Sequence, residues 1–446
     1  MIDGLRTSTT ELPEGWRWVK LGHLARFING DRGKNYPSPT DRVDAGVPFI
    51  NTGHIEPSGR LSRDRMEYIA RETFERLGSG KVATGDIVYC LRGSTIGKIA
   101  RNDYIEGAIA SSLIIIRSGN AHLQSFIYHY LSSASGQSLA RMFDNGSAQP
   151  NLSAGVLASY LIPLPPQVDL TRISNLLDVL DDKIELNRRM NETLEAMARA
   201  LFKDWFVDFG PTRAKMEGRA PYLAPDIWSL FPDRLDDEGK PENWTEAPLT
   251  TFFEILGGGT PKTSEVVYWD GNIPWFSVVD TPPGSDTFVF ETEKRITDEG
   301  LKNSSARLLD AGGTIISARG TIGKLAMAGR PMAFNQSCYG LKGINGYGPC
   351  FVFLVAKHMV AKLQSLAHGS VFSTITRQTF DSVRLPAPHI VIAEHFDLAT
   401  SVLFERMRAN VAESRTLAAT RDFLLPKLMS GEVRIKDAET LVGEAT

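Results

Sequence analysis

The strongest constraint on what this chain can fold into is that much of it is written twice. Pro13-Glu14-Gly15-Trp16 recurs as Pro241-Glu242-Asn243-Trp244, 228 residues on, and Val47-Pro48-Phe49-Ile50 recurs as Ile273-Pro274-Trp275-Phe276, 226 residues on. Arg92-Gly93-Ser94-Thr95-Ile96-Gly97-Lys98 returns as Arg319-Gly320-Thr321-Ile322-Gly323-Lys324, and Ile162-Pro163-Leu164-Pro165 returns as Leu385-Pro386-Ala387-Pro388 at an offset of 223. The matches keep their order while the offset drifts slowly, as a duplication with small insertions and deletions produces. A chain of 446 residues is too long for one ordinary core. The repeat says how it divides.

Each copy has a globular part and a helical part. Short β-branched runs, Asp86 to Leu91, Ile109 to Ile116 and Thr314 to Ser317, read as strands punctuated by Gly and Pro. Ser125 to Leu131 and Phe351 to Leu366 read as helices among them. After each Pro-rich stop a heptad pattern begins. Ile173, Leu177, Leu180, Ile184, Asn187, Asn191 and Leu194 alternate spacings of four and three and continue to Trp205; the same seam in the second copy runs through Phe396, Thr400, Leu403, Met407, Asn410, Ser414, Leu417 and Arg421. A helix from about Val168 to Trp205 is roughly 57 Å long and does not stand alone in water, so the two helices are expected to pair, antiparallel because a globular domain separates them. The Asn residues in the seam fix register, and the flanking Asp181, Asp182, Arg188 and Arg189 read as a solvated face.

The expected architecture is therefore α+β: two tandem mixed α/β domains separated by two long antiparallel coiled-coil helices, with pseudo-twofold internal repetition. The boundaries are 1–166 for the first domain, 167–209 for the first helix, 210–241 for a connector, 242–388 for the second domain, 389–432 for the second helix and 433–446 for a tail.

The repeated Arg-Gly-[Ser/Thr]…Ile-Gly-Lys loop joins glycines, which let backbone approach a ligand, to cations and hydroxyls suited to phosphate or base edges. It supplies Arg92, Ser94, Thr95 and Lys98 in the first copy and Arg319, Thr321 and Lys324 in the second. Gly257 to Thr263 reads as a flexible basic loop carrying Thr260, Lys262 and Thr263, and its first-copy counterpart carries Arg32, Lys34 and Asn35. Gln149 and Asn151, with Ser373, Thr374 and Arg377 in the second copy, are further candidates, since Gln and Asn can read adenine and Arg can read guanine. Helix N-caps would explain these last stretches nearly as well.

The net charge of −3 conceals a division. Residues 1–167 carry 18 Lys/Arg against 15 Asp/Glu, whereas residues 168–209 carry 6 against 9, so the acidic excess lies outside the first globular part and permits phosphate binding there without arguing for it. P-loop, HExxH and GxSxG signatures are missing, as are a glycine-rich S-adenosylmethionine loop and the Asn/Asp-Pro-Pro-aromatic motif of amino-methyltransferases. The His residues are scattered, and Cys90, Cys338 and Cys350 form no CxxC, so neither a metal site nor a disulfide framework is expected. No run of 18 uninterrupted apolar residues and no secretory signal is present, which predicts a cytoplasmic chain without a membrane partner.

Leu201-Phe-Lys-Asp-Trp-Phe-Val-Asp-Phe209, Pro211 to Gly218, Leu230 to Arg234 and the ending Leu424 to Val433 resemble the specificity subunits of Type I restriction-modification systems. So do Gly259-Thr260-Pro261, Tyr268 to Trp275 and Ala318 to Gly323, which are similar to one class of target recognition domain. The resemblance covers nearly the whole chain. It implies a non-catalytic DNA-recognition subunit that binds double-stranded DNA at a bipartite, asymmetric target and holds two methyltransferase subunits, with restriction subunits joining for cleavage. It also implies that S-adenosylmethionine, ATP and Mg belong to those partners, and that the helices are both ruler and docking surface. Half-sites read on one DNA face would lie about one helical turn, roughly 34 Å, apart. Two rivals stand beside this reading: a self-contained DNA-modifying enzyme with a cryptic active site, and a coiled-coil scaffold without sequence-specific DNA binding.

Overall fold

The computed structural model describes residues 12–142, 151–282, 284, 286–368, 374–430 and 432–445. Packing divides the chain into two units, one of residues 1–184 with 416–446 and one of residues 185–415. The long helices Gln167–Phe206 and Ile390–Ser430 therefore each contribute to both.

In the first unit a four-stranded sheet runs in the order Arg26–Asn29, Leu113–Arg117, Ile87–Cys90, Ile99–Arg101, every neighbour antiparallel. Its central strands are apolar throughout because both faces are covered. Ile87, Tyr89, Ile114 and Ile116 point into one core and Val88, Cys90, Leu113 and Ile115 into another, the two-residue alternation of a strand. A five-stranded mixed sheet lies beside it, with Val47–Ile50 parallel to Glu106–Ile109. The run Ile109 to Ile116 is thus two strands in two sheets, not one. Leu113 N–H bonds back to the Ala110 carbonyl at 3.0 Å, and Ser111-Ser112 is the turn. Continuous hydrophobicity on either side hides the break.

The second unit repeats this plan. Phe253–Gly257, Cys338–Gly343, Thr314–Ser317 and Leu325–Ala328 stand in the same order, extended at one edge by Phe288–Val289, and Trp269–Phe276 runs parallel to Met332–Phe334 in a second sheet. The strand that follows the first repeated motif pairs with the strand that holds the last. Trp18 pairs with Pro163 between Arg17–Lys20 and Leu161–Leu164, and Glu246 pairs with Pro386 between Thr245–Pro248 and Arg384–Ala387. Each two-stranded clasp ties the start of a globular part to its end, just before a long helix.

The long helices pack antiparallel within each unit. In the first, Ile173, Leu177 and Leu180 share a core with Leu417, Leu424 and Leu428, and Ile184 lies half-buried against it. In the second, Ala198 and Phe202 share a core with Phe396 and Met407, flanked by Leu194 and Leu403. The polar seam positions are used rather than tolerated. Asn410 Nδ2 donates to Asn191 Oδ1 at 2.9 Å and Asn187 Nδ2 donates to Glu413 at 2.7 Å and to Ser414 at 3.3 Å. Arg421 pairs with Asp181 at 2.6 Å, so Asp181 belongs to the helix contact and not to a solvated face. Arg188 and Arg189 stay on their own helix, bonded to Glu185.

The stretch 433–446 holds a helix, Ile435–Ala445, whose Ala438 and Val442 are buried in the first unit. Phe231, from residues 210–241, is buried in the second, edge-on to Trp205. One helix, Pro349–His368, includes a segment apolar enough by composition to cross a bilayer, with mean hydropathy 1.3. Its Phe351 to Ala356 are buried in the core of the second unit.

Candidate nucleic-acid interface

In each unit the repeated loop closes the hairpin between the central strand and its neighbour. In the first, Cys90 N–H bonds the Lys98 carbonyl at 2.8 Å and Gly97 N–H bonds the Cys90 carbonyl at 3.1 Å. Between them Arg92, Ser94 and Lys98 are exposed, while Thr95 turns its hydroxyl to Cys90 Sγ at 3.3 Å. In the second, Gly323 N–H bonds the Ser317 carbonyl at 2.9 Å, leaving Arg319, Thr321 and Lys324 exposed.

The two glycines of each loop have different jobs. Gly93 and Gly320 hold φ of 78° and 73°, and a Cβ on either would meet nothing within 4 Å, so they face open space where a ligand backbone can come close. Gly97 and Gly323 hold φ of 86° and 83°, but a Cβ there would meet the side chains of Gln137 and Gln364 at 2.9 Å. Only the first glycine suits ligand approach. The second is a packing requirement.

Other candidate residues converge on the same sheet end. Arg92 forms a bridge with Asn151 and Arg319 one with Thr374, so the two separate candidate stretches of each repeat meet. Ser153 and Thr376 are the actual helix caps there, accepting the Val156 and Thr379 N–H groups. Leu91 N–H bonds the Ser112 carbonyl and Ala318 N–H bonds the Ser337 carbonyl, which brings the turn between strands alongside. Onto that turn folds the third loop. Arg32 donates to the Ser111 carbonyl at 3.4 Å, and the Thr260 hydroxyl bonds Gln336. Ser111, Ser112, Gln336 and Ser337 were not legible as site residues, because each lies in a short polar turn between hydrophobic strands. Gln149 and Ser373 lie outside the described residues.

The Gly257–Thr263 loop is packed rather than flexible. A Cβ on Gly258 would lie 2.0 Å from the Asn335 carbonyl oxygen, one on Gly259 would lie 2.2 Å from Ser305 backbone, and Trp275 Nε1 donates to the Gly259 carbonyl at 2.9 Å. These glycines serve the fold. Lys262 pairs with Glu265 at 2.9 Å, Thr263 is exposed, and Arg377 spends one guanidinium nitrogen on the Ile255 carbonyl at 2.7 Å. In the first unit Asp31 fixes the matching loop by accepting the Gly78 N–H at 2.7 Å, leaving Lys34 exposed and Asn35 half-buried.

Lys34, Arg92, Lys98, Arg319 and Lys324 are exposed and form no ion pair with another described residue. Unpaired cations beside hydroxyls, amides and open backbone form a surface able to bind phosphate and read base edges. Among the described residues no group of three His, Cys, Asp or Glu could hold a metal ion, and all three cysteines are free and buried.

Comparison with known proteins agrees with this duplicated plan. The family model for the Type I restriction modification DNA specificity domain matches twice, over residues 13–196 and 241–395. The HindI specificity subunit of Haemophilus influenzae is 25% identical, over 94% of this chain and 99% of its own length. The MjaIX specificity subunit of Methanocaldococcus jannaschii is 23% identical over 71% and 70%. The crystal structure of a Type I system S subunit from M. genitalium superposes with a TM-score of 0.54 at 13% identity, covering 96% of this chain and 99% of that one, and so shares the fold.

Proposed function

This chain belongs to the family of Type I restriction-modification DNA specificity subunits, and from that premise we propose that each of its units reads one half of a bipartite DNA target. One observation carries the proposal. In both units the same sheet end gathers an open glycine, an Arg and a Lys without acidic partners, and a polar residue bridged to that Arg. The sequences around these shared parts differ, Asn29 to Tyr36 against Gly257 to Ser264 and Asn151 against Thr374, so the two half-sites differ and the target is asymmetric. Backbone phosphates set the register through the Lys residues, and the Arg and amide side chains discriminate bases.

The chain selects the site and partner subunits act on it. Two methyltransferase subunits bring S-adenosylmethionine, and restriction subunits bring ATP and Mg. The test is selection from a randomised duplex library by the full chain assembled with the methyltransferase subunits of its own system. The expected result is one bipartite motif, with the combined Arg92→Ala and Lys98→Ala substitutions erasing preference in one half only. A library returned without any base preference contradicts the proposal.

A further inference from the structure

The glutamines that explain the second glycine of each loop form a matched pair. Gln137, on the helix Ala134–Arg141, donates through Nε2 to the Gly97 carbonyl at 2.9 Å and to the Leu131 carbonyl at 2.9 Å. Gln364, on the helix Pro349–His368, donates through Nε2 to the Ile322 carbonyl at 2.8 Å. They stand 227 residues apart, within the offsets of the repeat, although the helices that carry them differ in length and in neighbouring sequence. Both side chains are half-buried. The glycine beside each lacks the Cβ that would strike its glutamine. Glycine and glutamine are thus two parts of one device.

We propose that Gln137 and Gln364 are positioning residues that lock the conformation of the two DNA-contacting loops, so that each sets the accuracy with which its own unit reads its half-site. This rests on the reading of the loops as the DNA surface. Elsewhere each loop is held by short-range bonds: in the first Ile96 N–H donates to the Gly93 carbonyl, and in the second the Ser317 hydroxyl donates to the Thr321 carbonyl and accepts from Lys324 N–H. A Cβ on Gly93 or Gly320 would meet nothing, and Arg92, Lys98, Arg319 and Lys324 make no ion pairs with described residues. The hydrogen bonds within the hairpin fix its base, and the glutamine fixes a carbonyl shortly before the Lys, that of Gly97 in the first unit and that of Ile322 in the second. A loop held in one conformation before DNA arrives loses less entropy on binding and presents its Arg to one base geometry. Without the donor the Lys still finds phosphate by charge, but the Arg samples several poses. Discrimination falls more than affinity.

The experiment uses the full chain assembled with its methyltransferase subunits, and reads base preference at every target position by library selection. Gln137→Glu and Gln364→Glu keep shape and lose the donor. Each is expected to reduce discrimination about tenfold in its own half-site, to leave the other half at wild-type preference and to leave the salt dependence of binding unchanged. Should burial of the new carboxylate prevent folding, Gln137→Met and Gln364→Met remove the donor without charge and carry the same expectation. Equal loss in both half-sites, or wild-type discrimination in both, overturns the inference. A wild-type assembly that selects no sequence instead overturns the DNA reading beneath it.

Discussion

The two units are copies in plan but are held to the long helices by different chemistry. Both globular parts share an apolar core with the helices, and what the first unit adds to it is polar. His129, only 1% exposed, bonds Asp178 of the first long helix at 3.1 Å, and Ser125 and Arg101 reach the same carboxylate at 2.7 Å. In the second the addition is aromatic. Phe206 lies against Phe351, Phe396 and Trp244 with ring centroids 4.9 to 6.1 Å apart, and Phe202 and Trp205 extend the cluster. The sheet end with its loop and glutamine is alike in the two units, and the added contact to the helices is not.

The largest expected effect comes from the aromatic attachment. Phe206→Ala removes the centre of a buried cluster and should cost about 4 kcal/mol, measured by denaturant unfolding. Asp178→Ala in the first unit should cost less, about 2 kcal/mol, because it leaves His129 and Arg101 without their acceptor. Equal costs, or the reverse order, would break the comparison.

Acid should separate the units next. Burial holds His129 below the ordinary histidine value of 6.5, against the opposing pull of Asp178. Burial alone would raise the Asp178 carboxyl, but His129, Arg101 and Ser125 hold it at about 2. Both groups bind protons more weakly folded than unfolded, so the first unit keeps this stability above about pH 6.5, loses the His129 part below it, and loses the Asp178 part as pH falls from 3.8 towards 2. In the second unit burial raises the Asp397 carboxyl, so acid relieves a penalty there. His358 in the second unit is also held low, but its side chain is more exposed than that of His129, which makes the contrast one of size. Hydrogen exchange at pH 7 and pH 5 should show faster opening in residues 121–132 than in residues 349–367. Asp178→Ala, which removes the pull that opposes burial of His129, should widen that difference. Equal acceleration in both segments would refute it.

The seam offers a smaller effect. Asn191→Ala strands the amide of Asn410 and should cost about 1 kcal/mol, whereas Leu at both positions should restore or exceed wild-type stability while loosening register. Smallest is the surface. Lys98→Ala and Lys324→Ala should each reduce the salt slope of DNA binding by about one without changing the selected motif.

How much of this was legible beforehand depends on the kind of signal. The clasps were visible because Pro13 to Trp16 and Ile162 to Pro165 are short, unusual in composition and repeated, although nothing in them said that they neighbour paired strands. The seam was visible through its period and its Asn residues as register positions, but the pairing of Ser414 and Arg421 was not, because their partners lie about 220 residues or more away. Gln137 and Gln364 were not visible at all. Each is one polar residue on a short or amphipathic helix, and only the fold places it against a carbonyl some 40 residues off. The Gly257 to Gly259 run misled for the same reason, since three glycines read as freedom until Asn335 and Ser305 are seen to leave no room for a side chain on Gly258 or Gly259.

The central claim, that each unit reads its own half-site, is tested most directly by replacing residues 1–166 with the corresponding domain of a relative of different specificity and sequencing adenine methylation in cells carrying the chimera with its methyltransferase subunits. The account predicts a motif in which one half changes and the other stays as in the wild type. A chimera that methylates the original motif unchanged, or one altered in both halves, would contradict it.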